Sequence, residues 1–424
     1  MRLEGDPIEA ELRAVDANRV SFAGANPFAL PLEELVRWGH LREPRGRILV
    51  VLADGGRLVT AAAWGGGAAV RLEGEQVVVL TDTWGEVPLE RGLVRGFVFS
   101  QQSHAREREQ LEEVVRGSDL PPDGADSPAD VVLLSNTDHV TGAVTGITGG
   151  SLTLQMDVQS VKLPLSRVEA VVLAQREPSG GSPEAQSKAA EPSRHPSPEG
   201  RGSLNGPSLK RRGNLADSSP RGKGNLVVGL RDGSLVYAAS VVGDENALLV
   251  TLPSGVALKG GNVNDVSLLQ SLGGRFIYLS DLEPSGYRHV PYLTIEWPYR
   301  SDRNVLGEPL SVNGKRYLKG IGMHSAARLS YRLEGTYRRF ESMVAVDDSA
   351  GTKGSVTFGV YVLRESQWRE AFLSGVIRGG DARQPVSVDV SGAEGLTLTV
   401  DYADRGDELD HADWLDARLI IKED

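Results

Sequence analysis

Apolar residues in this chain come mainly in short alternating runs bounded by Gly-, Asp- and Ser-rich turns. Leu329–Leu333, Glu341–Val346, Ser355–Val362, Val386–Val390 and Leu396–Val400 are the clearest of them. Successive side chains of a strand point to opposite faces, so each run offers one face for burial and needs a second sheet to cover it. The pattern predicts an all-β sandwich or barrel and leaves no helical period for a βαβ fold. At 424 residues with 50 glycines, the chain is too long for one ordinary domain and reads as several small β units.

The N-terminal half repeats itself weakly. An alternating strand leads to a Pro-Leu step and then to another apolar strand at Leu30-Pro31-Leu32, Val87-Pro88-Leu89 and Leu163-Pro164-Leu165. A fourth copy, Asn225 to Leu272, lacks that step. Proline cannot donate to a ladder, so each step marks an edge strand or a strand start. The second and fourth copies open on Asp54-Gly55 and Asp232-Gly233, strong hairpin signals. Each copy has the size of a small SH3- or Sm-like barrel, and such units are expected to pair. Ser103–Arg116 reads as a short charged surface helix. Residues 177–222 are Ser-, Pro-, Gly- and charge-rich and are expected to form a disordered linker. The resulting division is 1–101 (two copies), 102–128 (helix and loop), 129–176 (third copy), 177–222 (linker), 223–273 (fourth copy) and 275–424.

Within that last segment, aspartate recurs at every third position from Asp401 to Asp416, around His411 and Trp414. This period is neither 2 nor 3.6, so a tight loop gathering carboxylates is predicted between Leu396–Val400 and Ala417–Ile421. On a simple alternation Trp414, Asp416 and Arg418 share one face, and Leu415, Ala417 and Leu419 the other. With the leucine face on the core, Trp414 is expected to be exposed.

Further motifs lie upstream: Tyr278-Leu279-Ser280-Asp281-Leu282, Trp297-Pro298-Tyr299-Arg300, Asp302-Arg303-Asn304-Val305, Lys319-Gly320-Ile321-Gly322-Met323-His324-Ser325 and Val346-Asp347-Asp348. In this order, closed by Leu409-Asp410-His411-Ala412-Asp413-Trp414, they resemble the NPCBM family of carbohydrate-binding modules. The resemblance implies a jelly-roll, galactose-binding-like β-sandwich over residues 275–424. It also implies a sugar ligand, an extracytoplasmic location and, in many members, a structural Ca²⁺. Sugar recognition needs an aromatic ring for the C–H face and polar groups for the hydroxyls. Trp414, His411, His324, Asp347 and Asp413 are the candidate carbohydrate-binding residues, with a galactoside as the family-based expectation. Asp281, Asp404, Asp407 and Asp410 are the candidate calcium ligands.

Composition narrows the remaining classes. A net charge of −11 argues against nucleic-acid or anionic-membrane partners. There is no cysteine, hence no disulfide or thiolate chemistry, and no apolar run long enough for a membrane span. The first residues show no signal-peptide pattern. Gly307 to Lys315 departs from a phosphate loop in its spacing, and the histidines show no zinc pairing. The reading is a non-catalytic carbohydrate-binding protein whose N-terminal units space or anchor it. The alternatives are an envelope-associated interaction scaffold without sugar binding, or an accessory part of a glycoside hydrolase system.

Overall fold

The structure is a computed structural model. It describes residues 1–3, 8–24, 26–44, 47–62, 69–99, 105–117, 129–157, 159–175, 224–404 and 406–422. The expected linker, 177–222, lies outside the described residues.

Every strand pairing is antiparallel, as the alternating runs require. Each of the three Pro-Leu steps stands in an edge strand. Phe28–Pro31, Gly85–Glu90 and Gln159–Pro164 pair on one side only, with Arg19–Ala23, Gln76–Thr81 and Ser151–Met156. The missing proline N–H therefore costs no ladder bond. A 3₁₀ turn follows each edge strand and delivers the chain into the last strand of the copy. The Asp-Gly signals form hairpin turns, with Gly55 and Gly233 at φ of 90° and 96°, a region open to glycine at no steric cost.

The copies pair, and their order is nested. The first joins the fourth through Trp38 opposite Leu269 and Val15 opposite Gly243. The second joins the third through Phe97 opposite Val171 and Leu72 opposite Ile147. Among the described residues, one ladder bridge, Leu235 to Arg57, links the two pairs, and one apolar core runs through all four copies. The helix, Ala105–Arg116, is not merely a surface element. Glu112 is buried against Arg57, while Glu109 and Glu113 hold Arg316 and Arg303 of the C-terminal segment.

The C-terminal segment is a sandwich of two sheets. One contains Arg300–Ser301, Gly320–His324, His411–Ile421, Tyr337–Val346 and Gln384–Asp389, with Phe276–Tyr278 also paired to His411–Ile421. The facing sheet contains Gly286–His289, Ala327–Arg332, Gly395–Tyr402, Ser355–Arg364 and Gln367–Leu373. Between them lie Trp414, Phe340, Phe358, Leu329, Val360 and Leu398.

Trp414 corrects the expectation of an exposed indole. It is 0% exposed, with Phe358 edge-on at 5.2 Å. The cause is a β-bulge. Glu341 pairs with Arg418 but Met343 pairs with Leu415, so the ladder shifts across Asp416, whose φ is 48°. An extra residue reverses the alternation. Ala412 and Trp414 face the core before the bulge, and Ala417 and Leu419 face it afterwards. Leu415 and Ile420 point to the outer face, where other segments cover them.

A histidine and tryptophan cluster at the end of the sandwich

His324 ends one strand and His411 begins its neighbour, and the two are direct cross-strand partners with rings 6.0 Å apart. Trp297 lies flat on His324, with centroids 4.9 Å apart and planes 6° from parallel. The same indole is 6.4 Å from His411. His289 enters from the facing sheet, edge-on to His324 at 6.0 Å.

Hydrogen bonds define the tautomers. The Trp297 backbone N–H donates to His289 Nδ1 at 3.3 Å, so His289 carries its proton on Nε2, which donates to the Ser325 carbonyl at 2.9 Å. His324 Nδ1 donates to that same carbonyl at 3.0 Å. His411 Nδ1 pairs with Ser349 Oγ at 2.9 Å. Burial lowers the pKa of both His324 and His411, and in His411 the neighbouring His324 adds to the effect. Both rings are thus neutral at pH 7, and a neutral imidazole can donate through one nitrogen and accept through the other.

The acids of the sequence reading have other duties. Asp347 is 1% exposed, and its carboxylate accepts from Asn304 Nδ2 at 3.0 Å and from the backbone N–H groups of Ser349 and Ser311, both at 2.9 Å. Asp413 is enclosed. It pairs with Gly322, where a Cβ would stand 2.5 Å from the backbone of Arg303 and Asn304, so that segment lies directly over the strand. Neither Asp413 oxygen receives a hydrogen bond. Burial first, and the Asp347 carboxylate second, push its pKa well above the ordinary range. Burial thus favours the neutral form of Asp413, which lies inside the protein where no sugar reaches it.

The four proposed calcium ligands do not form one site. Asp281 holds Lys319 Nζ at 2.6 Å, at one end of the strand whose other end leads into Ser325. Six residues of strand span roughly 20 Å. At that far end, Asp410 accepts from Ser325 Oγ at 2.7 Å and from the Ser355 N–H at 2.9 Å. Asp404 pairs with Arg378 at 2.5 Å, and Asp407 takes part in the turn before Asp410. Among the described residues, no group of three or more His, Cys, Asp or Glu could hold a metal ion. The donor set does not fit a six- to eight-oxygen cation.

Of the five carbohydrate-binding candidates, all of them buried, the structure thus brings His324 and His411 together at 3% and 4% exposure and encloses Trp414, Asp347 and Asp413 more completely. The aromatic partner of the histidines is Trp297, with His289 behind it. Trp297 was visible in the Trp297-Pro298-Tyr299-Arg300 motif, but nothing local linked it to His324.

The family model described as "NPCBM/NEW2 domain" matches residues 275–420. The C-terminal third of the chain is an NPCBM/NEW2 domain. A curated relative, alpha-1,3-galactosidase B of Akkermansia muciniphila, is 36% identical over 121 residues. That match takes in 28% of this chain and only 15% of the galactosidase. Solved structures similar to the chain include CBM51 from Clostridium perfringens GH95 in complex with methyl-galactose. It is 30% identical, with 34% of this chain and 99% of that one covered and a TM-score of 0.30. CBM51-2 with the INT domains of Clostridium perfringens ZmpB, in complex with GlcNAc, is 25% identical, with 48% and 39% covered and a TM-score of 0.31. Among the described residues, no helix is long and apolar enough to cross a membrane.

Proposed function

We propose that this chain is a non-catalytic, extracytoplasmic carbohydrate-binding protein. Its NPCBM/NEW2 domain takes a neutral sugar at the cluster of Trp297, His324 and His411. The observation that carries this reading is the flat stack of Trp297 on a neutral, buried His324 beside His411. A sugar pairs an apolar C–H face with hydroxyls, and the cluster pairs an indole with imidazole nitrogens able to donate and accept. A galactoside is the proposed ligand, in keeping with the galactosidase relative. A non-catalytic role is supported by the engagement of Asp347 and Asp413 inside the protein, which removes them as a pair of free carboxylates. The N-terminal copies are proposed as a spacer fixed to the sandwich.

A glycan array probed with the whole chain tests the proposal. Binding to galactose-terminated glycans, lost in Trp297→Ala at an unchanged melting point, is expected. An array on which no saccharide is retained would overturn it.

A further inference from the structure

Two exposed aromatic side chains form a corner. Tyr292 and Tyr402 are 60% and 50% exposed, with ring centroids 6.2 Å apart and planes at 80°. They are carried by the two connections that carry the cluster itself. Tyr292 lies in the loop between His289 and Trp297. Tyr402 ends the strand Gly395–Tyr402, whose continuation turns back into His411.

The connection that carries Tyr292 is anchored at both ends. The Val290 N–H donates to the Ala326 carbonyl at 3.0 Å, and Tyr287 Oη donates to the Trp297 carbonyl at 2.6 Å. At the apex, Gly406 packs against Tyr292, where a Cβ would lie 3.5 Å from the ring in ordinary contact. The nearby charges are paired, Asp404 with Arg378 and Glu408 with Lys353. The corner is therefore aromatic and amphipathic, and its two rings stand on the connections that carry a site already proposed to take one sugar.

We infer that Tyr292 and Tyr402 form a second subsite for the sugar residue that follows the one on Trp297, so that the preferred ligand is an oligosaccharide. The inference rests on the proposed function and adds chain length to it. A sugar residue suits the corner because one ring presents a face and the other an edge, with a phenolic hydroxyl on each. A bilayer is less well matched, because the chain carries a net charge of −11 and the described basic groups nearby, Arg378 and Lys353, are paired with Asp404 and Glu408.

Calorimetric titration of the whole chain with methyl galactoside, a galactose-terminated disaccharide and a galactose-terminated tetrasaccharide tests the inference. The oligosaccharides are expected to bind roughly three- to tenfold more tightly than the methyl glycoside, the range of one aromatic contact. Tyr402→Ala and Tyr292→Ala should abolish that gain while leaving methyl galactoside affinity unchanged, and Tyr402→Phe should keep most of it. Equal affinity at every length would overturn the subsite, as would a gain that both alanine variants retain. Tightening seen only when galactose is displayed on phosphatidylcholine vesicles would also overturn it and assign the corner to a membrane. Failure of all three probes to bind overturns this inference, whereas the proposed function falls only if the whole glycan array is blank.

Discussion

Arg37 Nε donates to Asp416 Oδ2 at 3.0 Å across 379 residues of sequence, with the two side chains 5% and 0% exposed. The pair stands at the seam between the first N-terminal copy and the sandwich, beside the apolar cluster of Leu3, Val36, Phe276, Tyr278 and Ile420. Arg418 completes the seam, donating to the Leu3 carbonyl at 3.1 Å and reaching Glu341 at 3.5 Å. The copies and the NPCBM/NEW2 domain are therefore one packed body. Removing one partner of a buried pair strands the other charge. Asp416→Ala should cost about 3–5 kcal/mol in chemical denaturation. A loss below about 1 kcal/mol, the range of an exposed pair, would mean that the seam opens to water.

The two tryptophans should separate cleanly. Trp414 fills the core between Phe340 and Phe358, so Trp414→Ala should destabilise the fold by about 3–5 kcal/mol. Trp297 is only partly buried, and Trp297→Ala should keep the melting point while weakening sugar binding by about 1–3 kcal/mol. Thermal melts read beside glycan titrations check both. The reverse outcome would return the site to Trp414.

Asp413 predicts a particular pH dependence. Its folded pKa is raised, so its contribution to stability is full below the ordinary carboxylate value of 3.8 and is lost as pH rises through the folded value. Asp413→Asn keeps a neutral donor with no proton to take up. The stability of this variant relative to the wild type should therefore rise from pH 4 to pH 8. Urea midpoints across that range test it, and a difference independent of pH would show Asp413 to be ionised in the fold. Asp410, raised by burial to about 6, adds a wild-type decline between pH 3.8 and about 6.

Chelation should leave the melting midpoint in place. Asp281, Asp404 and Asp410 are engaged by Lys319, Arg378 and the Ser325–Ser355 pair. A fall of several degrees on adding EDTA, reversed by Ca²⁺, would establish a cation site that these contacts do not suggest.

Much of the architecture was legible in the residues because its causes are local. Period-2 runs dictate strands, Asp54-Gly55 and Asp232-Gly233 dictate hairpins, and Pro31, Pro88 and Pro164 confine their strands to edges. Spaced motifs likewise sufficed to mark residues 275–420 as an NPCBM/NEW2 domain. Tertiary structure decided the rest. The face of Trp414 turns on one extra residue at Asp416, and that bulge exists only because Tyr337–Val346 and Lys319 pair with the strand as they do. The nesting of first with fourth copy, and the meeting of Trp297, His289 and His324, join residues that no local pattern connects. Alternation along a strand says which side chains share a face. Only the packing of distant segments says whether that face meets water, a core or a neighbouring sheet.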